Sequence, residues 1–370
     1  MHNYRSLLRF LGREAAPLDA VAIRQYVQGK RVLITGAAGY IGSALAHSLA
    51  ELSVQHLVLL DIAESGLHEF ASGLDSDSRI SHDLIVGDIC DGDLLAEIFE
   101  KHRPEVVLHA GACKHVRLME ENPFAAARNN VLGTLQIAQA ASTFGSDKLI
   151  VISTDKAVAP TSIMGATKRI AELILLANRS ATQMYAVRLG NVLGSTGSVV
   201  PIFQRQIARG GPITITDLAC TRFFTSIDEA VQRLLFALVL DGPSTILVSD
   251  IETAYYVVDL AKFLVETAGL DHQPIDLCFT GLKPGEKLHE RMTSDEEIRA
   301  TTSTRGLREV LYSPSPTLLQ LTAAIEEMEA SFHPRKPGRL LRAICSVVPD
   351  YMPSASLRQL AGEFAGTPTV

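Results

Sequence analysis

The stretch KRVLITGAAGYIGSALAHSLAEL, residues 30–52, decides the fold. An apolar run, Val32 to Ile34, enters a glycine-rich turn, and the residues after it have helical spacing. Gly36, Gly39 and Gly42 fall at three-then-three intervals. The first permits the tight turn, the second a close approach of backbone to a pyrophosphate, the third close packing of helix on strand. Ala38, Tyr40 and Ile41 complete the loop, and the helix that follows turns its free N–H groups and dipole toward the phosphates. Strand, glycine turn and helix in this order predict a dinucleotide site.

Downstream, HLVLLD (56–61) reads as a second buried strand ending in Asp61, 25 residues after Gly36. A carboxylate there accepts both ribose hydroxyls of NAD and repels a 2′-phosphate. No Arg or Lys in DIAESGLHEF offsets that repulsion, so NAD is expected rather than NADP. Further apolar runs follow at LIVGD (84–88), EVVLHA (105–110), KLIVIST (148–154) and MYAVRLGNV (184–192), separated by helical patterns. Runs that do not alternate are buried on both faces, which predicts a doubly wound parallel α/β sheet of Rossmann type. Asp88 and Ile89, after the third strand, and Ala110, at the end of the fourth, are expected to line the cofactor cleft; helix capping is the other reading of Asp88.

Beyond residue 191 the chain is punctuated by Gly and Pro, with a helix expected after Thr225 or Ser226 and another near SPTLLQLTAAIEEMEASF. The expected organisation is an N-terminal helical extension (1–28), the NAD-binding domain (29–190) and a smaller mixed α/β substrate lobe (191–345). Segments around 220–265 return to the first domain, and a tail (346–370) follows.

With 41 acidic and 34 basic residues, the chain lacks the basic footprint of a nucleic-acid binder. It has no apolar run of about 18 residues that would span a membrane. The N-terminal apolar patch is broken by Arg5, Arg9 and Arg13 and reads as a helix docking on the body or on a partner. Five scattered cysteines, without CxxC or zinc-ligand spacing, fit a reduced, cytoplasmic protein, and His47 and His56 read as structural. No metal is expected.

The chemistry concentrates in VISTDKAVAPTSIMGATKR, 151–169. It has the layout of a short-chain dehydrogenase active segment, with Thr154 closing a strand and Lys168 at the position of the catalytic lysine. Met164, four residues before that lysine, stands where a tyrosine is expected. A thioether has no acidic proton, so either the chemistry is lost or the tyrosine's work has passed to other groups, Asp155 and Lys156 foremost. Met164 can still shape an apolar wall against the nicotinamide.

TGAAGYIGS, HAGACKHVRLMEENP, NNVLGT, STDKAVAPTSIMGATKR, RLGNVLGSTGSVVPIFQRQI, TRFF and GLKPGEKLHE occur in that order. Together they resemble the nucleotide-sugar 4,6-dehydratases of bacterial polysaccharide biosynthesis, extended short-chain dehydrogenases acting on UDP-N-acetylglucosamine. The likeness runs from about residue 10 to beyond 290 and is to the soluble catalytic portion of the long members. It implies bound NAD, a UDP-sugar substrate and a homo-oligomer, the apolar IAELILLA (170–177) covering either a subunit interface or the sheet. It assigns Asp155 and Lys156 to acid–base work at sugar carbons 5 and 6, Lys168 to the nicotinamide ribose, and Thr154 to the 4-hydroxyl. It sets Lys114 and His115 at the sugar. Asn191, Arg205 and Arg222 are candidate contacts to the diphosphate, with salt bridges inside the small lobe the other reading of either arginine; Val199 is a candidate for the substrate pocket and Glu286 a candidate to orient such an arginine. A Met at 164 is itself characteristic of the long branch. Ala38, Tyr40 and Gly111 depart from the usual pattern.

Elimination at carbon 6 from an unactivated sugar has a high barrier; a ketone at carbon 4 acidifies the carbon 5 proton. A base then takes that proton while an acid protonates the departing 6-hydroxyl, and the hydride stored on the cofactor returns to carbon 6. Lys156 as base must be neutral and Asp155 as acid must carry a proton. Direct contact between them as ions would oppose both; adjacent residues leaving a strand can face different sides of the sugar, and the sequence leaves open which tip points where. The rival readings are a UDP-sugar 4-epimerase or 4-reductase, and a non-catalytic scaffold that keeps NAD.

Overall fold

In the computed structural model, the described residues are 2–13, 20–73, 80–251, 253–269, 275–303, 306–312 and 315–362. Nine strands form one sheet: β1 (Arg31–Thr35), β2 (His56–Asp61), β3 (His82–Val86), β4 (Val106–His109), β5 (Lys148–Thr154), β6 (Gln183–Leu189), β7 (Thr245–Ser249), β8 (Ile298–Thr301) and β9 (Leu307–Tyr312). Their spatial order is β8-β9-β7-β6-β5-β4-β1-β2-β3. From β3 to β7 every pairing is parallel, and β9 and β8 add an antiparallel edge. The doubly wound sheet expected from the sequence is present. Chain order reverses between β1 and β4, which opens a crevice beyond the carboxyl ends of those strands.

The unbroken apolar runs are explained by cover on both faces. Leu33, Val58, Leu60 and Val107 point into one apolar cluster; Val32, Ile34, Leu57, Leu59 and Leu108 point into the other. The helix Ile163–Leu176, which carries Met164 and Lys168, is buried from Ile163 through Leu175. One side meets the sheet, and the same cluster takes in Leu321, Ile325 and Met328 of Leu318–Glu329 and Leu340, Leu341 and Ile344 of Pro337–Val347. The apolar residues of IAELILLA are therefore covered by the sheet and by the chain's own C-terminal helices, so this stretch is no exposed subunit interface.

A smaller group of elements builds a cap over the crevice, while helices such as Ile227–Leu238 pack on the sheet. The helices Val199–Ala208 and Val257–Thr267 share a third cluster with the short parallel pair Ile213–Ile215 and Leu277–Phe279. The helix His2–Leu11 docks there through Leu7 and Leu11, and Arg13 follows it onto Glu229, with Nε 2.8 Å from Oε1. Ser226 starts the helix Ile227–Leu238 with a capping box completed by Glu229, as its sequence predicts. The helix Val199–Ala208 was concealed in the sequence by flanking glycines. Among the described residues no helix is long and apolar enough to cross a membrane. Of the expected tail 346–370, residues 363–370 lie outside the described part.

Candidate active site

At the crevice, Gly36 has φ +68°, and a Cβ there would strike the backbone of Ala110 and Gly111 at the end of β4. A Cβ on Gly42 would strike the Gly36 carbonyl. Both positions need glycine for contact with backbone. The helix Tyr40–Ala50 begins at Gly39 without a side-chain cap, leaving its first N–H groups to a ligand. Asp61 closes β2, where its Oδ2 accepts the Ala38 N–H at 2.9 Å and its Oδ1 the Ala63 N–H at 2.9 Å. Each oxygen keeps a second lone pair for a hydroxyl donor. Tyr40 reaches across the crevice, its hydroxyl 3.3 Å from the Leu193 carbonyl. Ile41 follows it in the first turn, half-buried.

Asp88 is tied down locally: it accepts the Cys90 N–H at 2.9 Å and pairs with Arg128 Nη1 at 2.7 Å. Burial opposes ionisation, but the Cys90 N–H and the Arg128 guanidinium outweigh it and hold its carboxyl below the usual range. The adjacent helix is capped by Asp91, so Asp88 is no helix cap. Ile89 is buried against Gly133, where any Cβ would collide with it. Ala110 donates to Thr35 O at 2.9 Å and continues β4 into the crevice.

Beneath this loop lies a polar chain the sequence did not advertise. Buried His109 contacts Thr35 Oγ1 at 2.6 Å and Thr134 Oγ1 at 3.2 Å. Burial, helped by the charge of Lys168, pushes its pKa down to about 3, so the imidazole is neutral. Asn130 sits in a π-helical turn, Arg128–Gly133. Its side chain accepts the Cys113 N–H at 2.8 Å and donates to the Cys113 carbonyl at 3.0 Å and to Thr167 Oγ1 at 3.1 Å. It thereby fixes the loop that carries Lys114 and His115 to the helix of Lys168.

The segment after β5 folds into a short 3-10 turn, Asp155–Ala157. Thr154 caps it, accepting the Lys156 N–H at 3.4 Å and donating to Asp155 Oδ1 at 2.9 Å. Lys156 Nζ lies 2.9 Å from Asp155 Oδ1, 2.9 Å from Asn191 Oδ1 and 3.9 Å from Glu290 Oε1. The sequence left open which way the two tips point; the tight turn aims both at one point. Burial favours the neutral amine, but Asp155 and Glu290 outweigh it and hold Lys156 above the ordinary lysine range. Asp155 is fully buried behind Lys156, and its Oδ2 has no hydrogen-bond partner.

Lys168 differs from Lys156. It is buried, and that burial pulls its pKa down to about 8 although Glu172 opposes the shift. Met164 is buried in the apolar cluster, a wall rather than a proton donor. At Gly165 a Cβ would strike the Lys156 carbonyl, so glycine lets the helix start against the Asp155–Ala157 turn. A buried ionic network holds the helix from below. Glu172 accepts from Ser153 at 2.6 Å, from Arg169 at 2.9 Å and from Arg188 at 2.7 and 2.8 Å. Arg188 in turn grips both oxygens of Glu297, at 2.6 and 2.8 Å.

The other sequence-predicted residues are only partly gathered here. Asn191 joins Lys156, and the charge of Arg222 is felt by that lysine. Arg222 itself donates to the carbonyls of Thr221 and Leu288, at 2.7 and 3.2 Å. Lys114 and His115 are exposed on the loop after β4, His115 against Gly197 across the crevice. Val199 begins the helix Val199–Ala208, and Arg205 lies exposed in that helix's last turn. Among the described residues Glu286 holds no arginine; its Oε2 accepts the Lys283 N–H at 3.1 Å, a local turn contact. The carboxylate that reaches the site from GLKPGEKLHE is Glu290, buried and 3.3 Å from Lys287, whose Nζ donates to the Val158 carbonyl at 2.7 Å. The only sequence signal for it was a run of charges in a glycine-rich loop.

Comparison with known proteins matches residues 32–310 to the family described as "Polysaccharide biosynthesis protein". The probable polysaccharide biosynthesis protein EpsC of Bacillus subtilis is 41% identical over 294 residues, 78% of this chain and 49% of that protein. The chain thus spans about half the length of the first curated relatives it matches. A UDP-N-acetylglucosamine 4,6-dehydratase (inverting) of Campylobacter jejuni is 32% identical over 279 residues, 74% of this chain and 80% of that one. A UDP-glucose 4-epimerase of Rickettsia rickettsii is also 32% identical over 279 residues, 73% of this chain and 79% of that one. Among solved structures, Pen from Bacillus thuringiensis superposes with a TM-score of 0.71 at 27% identity, covering 80% of this chain and 90% of that one. MoeE5 in complex with UDP-glucuronic acid and NAD superposes at 0.58 with 25% identity, covering 69% and 87%.

Proposed function

The chain belongs to the polysaccharide biosynthesis protein family, and on that premise we propose that it is an NAD-holding nucleotide-sugar 4,6-dehydratase acting on a UDP-N-acetylhexosamine, UDP-N-acetylglucosamine first. The observation that carries the reading is the Asp155–Lys156 pair, joined at 2.9 Å beside Asn191 and Glu290. Oxidation at carbon 4 alone has no use for such a pair; elimination across carbons 5 and 6 needs an acid and a base side by side.

The residues present fit NAD. Gly36 and Gly42 form a cradle that any Cβ would fill, an uncapped helix start faces it, and Asp61 stands at the ribose position. The complex of MoeE5 with NAD supports the same cofactor. When bound, NAD would supply the hydride acceptor for carbon 4 and the donor for carbon 6, the 4-hydroxyl proton leaving to water held by Lys168. Lys168, one helical turn beyond Met164, orients the ribose and holds a positive charge toward the 4-oxygen.

Lys156 meets the sugar, since its side chain keeps 18% exposure while that of Asp155 has none. Lys156 rests as the ammonium, held above the ordinary lysine range by Asp155 and Glu290. One proton passing along the 2.9 Å bond makes the pair a neutral amine and a carboxylic acid, the two states that elimination requires. Closure of substrate over the turn removes water and so favours that neutral pair. The amine takes the carbon 5 proton, and the ammonium so formed, the group of the pair that meets the sugar, protonates the departing 6-hydroxyl; the proton held on Asp155 then passes back along the same bond for return to carbon 5. Residues 29–190 would hold the cofactor and the cap the sugar.

A second reading, 4-epimerisation, is favoured by the UDP-glucose 4-epimerases that match at the same identity over the same length. The test is mass spectrometry of UDP-N-acetylglucosamine incubated with the protein and NAD in heavy water, without external reductant. Loss of one water with one deuterium at carbon 5 is the expected result. Formation of UDP-N-acetylgalactosamine with unchanged composition would replace the dehydratase by the epimerase.

A further inference from the structure

At the edge of the sheet away from the crevice, three side chains from three elements converge. His56 opens β2, Asp83 is the second residue of β3, and His102 ends the helix Gly92–His102. Asp83 Oδ2 lies 3.6 Å from Nε2 of each imidazole, and the three atoms fall within 4.8 Å of one another. The rings are stacked, with centroids 5.5 Å and planes 9° apart, so both present Nε2 to the same carboxylate. Among the described residues this is the one group of its kind.

Hydrogen bonding does not account for the arrangement. Separations of 3.6 Å are too long for N–H···O bonds. His56 Nε2 is buried and has no hydrogen-bond partner, which is costly for a polar atom. The ring is nevertheless fixed in orientation, since its Nδ1 lies 2.8 Å from Ser81 Oγ. A second polar contact of this kind is how ligating imidazoles are usually aimed. Zinc bonds of about 2.0–2.1 Å in a tetrahedron set neighbouring ligand atoms about 3.3–3.4 Å apart. The two nitrogen–oxygen separations are already close to that value, and only the two nitrogens need to close on each other.

We propose that His56, Asp83 and His102 form a binding site for a divalent transition-metal ion, zinc by preference, with water in the fourth position. Two neutral imidazoles and one carboxylate suit zinc and leave out the hard, oxygen-seeking cations. The site is structural rather than catalytic, because Asp61 and the crevice stand at the other end of β2. Its effect is to clasp β3, which among the described residues pairs with β2 alone, to that neighbour and to the helix behind it. Lys101 competes for the same carboxylate: its Nζ is 3.5 Å from Asp83 Oδ2 on a side chain that is 71% exposed and free to swing away.

The test is calorimetric titration of the untagged, chelator-stripped full chain with zinc sulfate, alongside thermal unfolding. One equivalent should bind, with Tm raised by about 3–5 °C at a hundredfold excess over Kd. His56→Gln and Asp83→Asn should each weaken binding at least about tenfold, and Lys101→Ala should tighten it several-fold. Cobalt bound to the unaltered chain should give a tetrahedral absorption spectrum. Absence of stoichiometric binding to the unaltered chain overturns the proposal. So does unchanged affinity in a folded Asp83→Asn variant, which would put the ion elsewhere.

Discussion

Replacing Glu172 by Gln tests whether the helix of Lys168 is held by buried charge. Glu172 is 1% exposed and accepts four hydrogen bonds, three of them from arginines. Burial opposes its ionisation, but Arg188 and Arg169 prevail and bring its pKa from 4.5 to about 2. That fall corresponds to about 3 kcal/mol, at about 1.4 kcal/mol for each tenfold change in proton affinity. Because the folded value is depressed, this stability is fully present above about pH 4.5 and is lost as pH falls toward 2. Glutamine keeps the shape but turns an amide toward a guanidinium and leaves two buried arginines sharing Glu297. The expected cost at pH 7 is therefore about 3–5 kcal/mol. The chain has no tryptophan, so urea unfolding is best followed by far-UV circular dichroism, from pH 7 down to pH 3. The unaltered protein should lose stability on acidification more steeply than the variant, so that the two curves converge. A cost below about 1 kcal/mol at pH 7, or curves that stay parallel, would refute the assignment of this network as the anchor.

Three further outcomes follow from the site. Burial holds Lys168 near pH 8, so a reaction that needs its positive charge should slow as pH rises through that value. Lys168→Arg, charged throughout, should keep a small activity without the alkaline fall, and an identical fall in kcat–pH profiles of both proteins would sink the idea. Met164→Leu conserves volume in an apolar wall, so kcat should stay within about threefold and stability within about 1.5 kcal/mol; a loss of a hundredfold in steady-state assays would give the thioether another role. Gly165→Ala forces a Cβ onto the Lys156 carbonyl, which should cut kcat by about a hundredfold while costing about 1–3 kcal/mol in urea titrations. Unchanged kcat there would mean that the turn tolerates displacement.

The periodicity of the chain was sufficient for the sheet. Non-alternating apolar runs such as HLVLLD and KLIVIST must be covered on both faces, and each glycine of the 36–42 loop answers to a contact between backbones. Local spacing also found the helix of Met164 and Lys168, the Ser226 cap and the acid ending β2, because those features depend on neighbours in sequence. It missed the helix Val199–Ala208, whose flanking glycines and internal Pro201 mimic a loop.

What the sequence determined by itself was the layering, the glycine cradle and the identity of the polar groups that follow β5. Which group meets which was decided only by the tertiary structure. Asp155 and Lys156 are adjacent in any conformation, yet their contact comes from a 3-10 turn wedged between Gly165 and the segment bearing Lys287 and Glu290. Glu290 reaches Lys156, and Glu286 does not, through a register set some 130 residues downstream in the chain. His56, His102 and Asp83 likewise carry no sequence motif, since three separate elements must pack before their atoms converge. Charge and burial act through space, and a side chain's ionisation is fixed by neighbours that one-dimensional spacing does not contain.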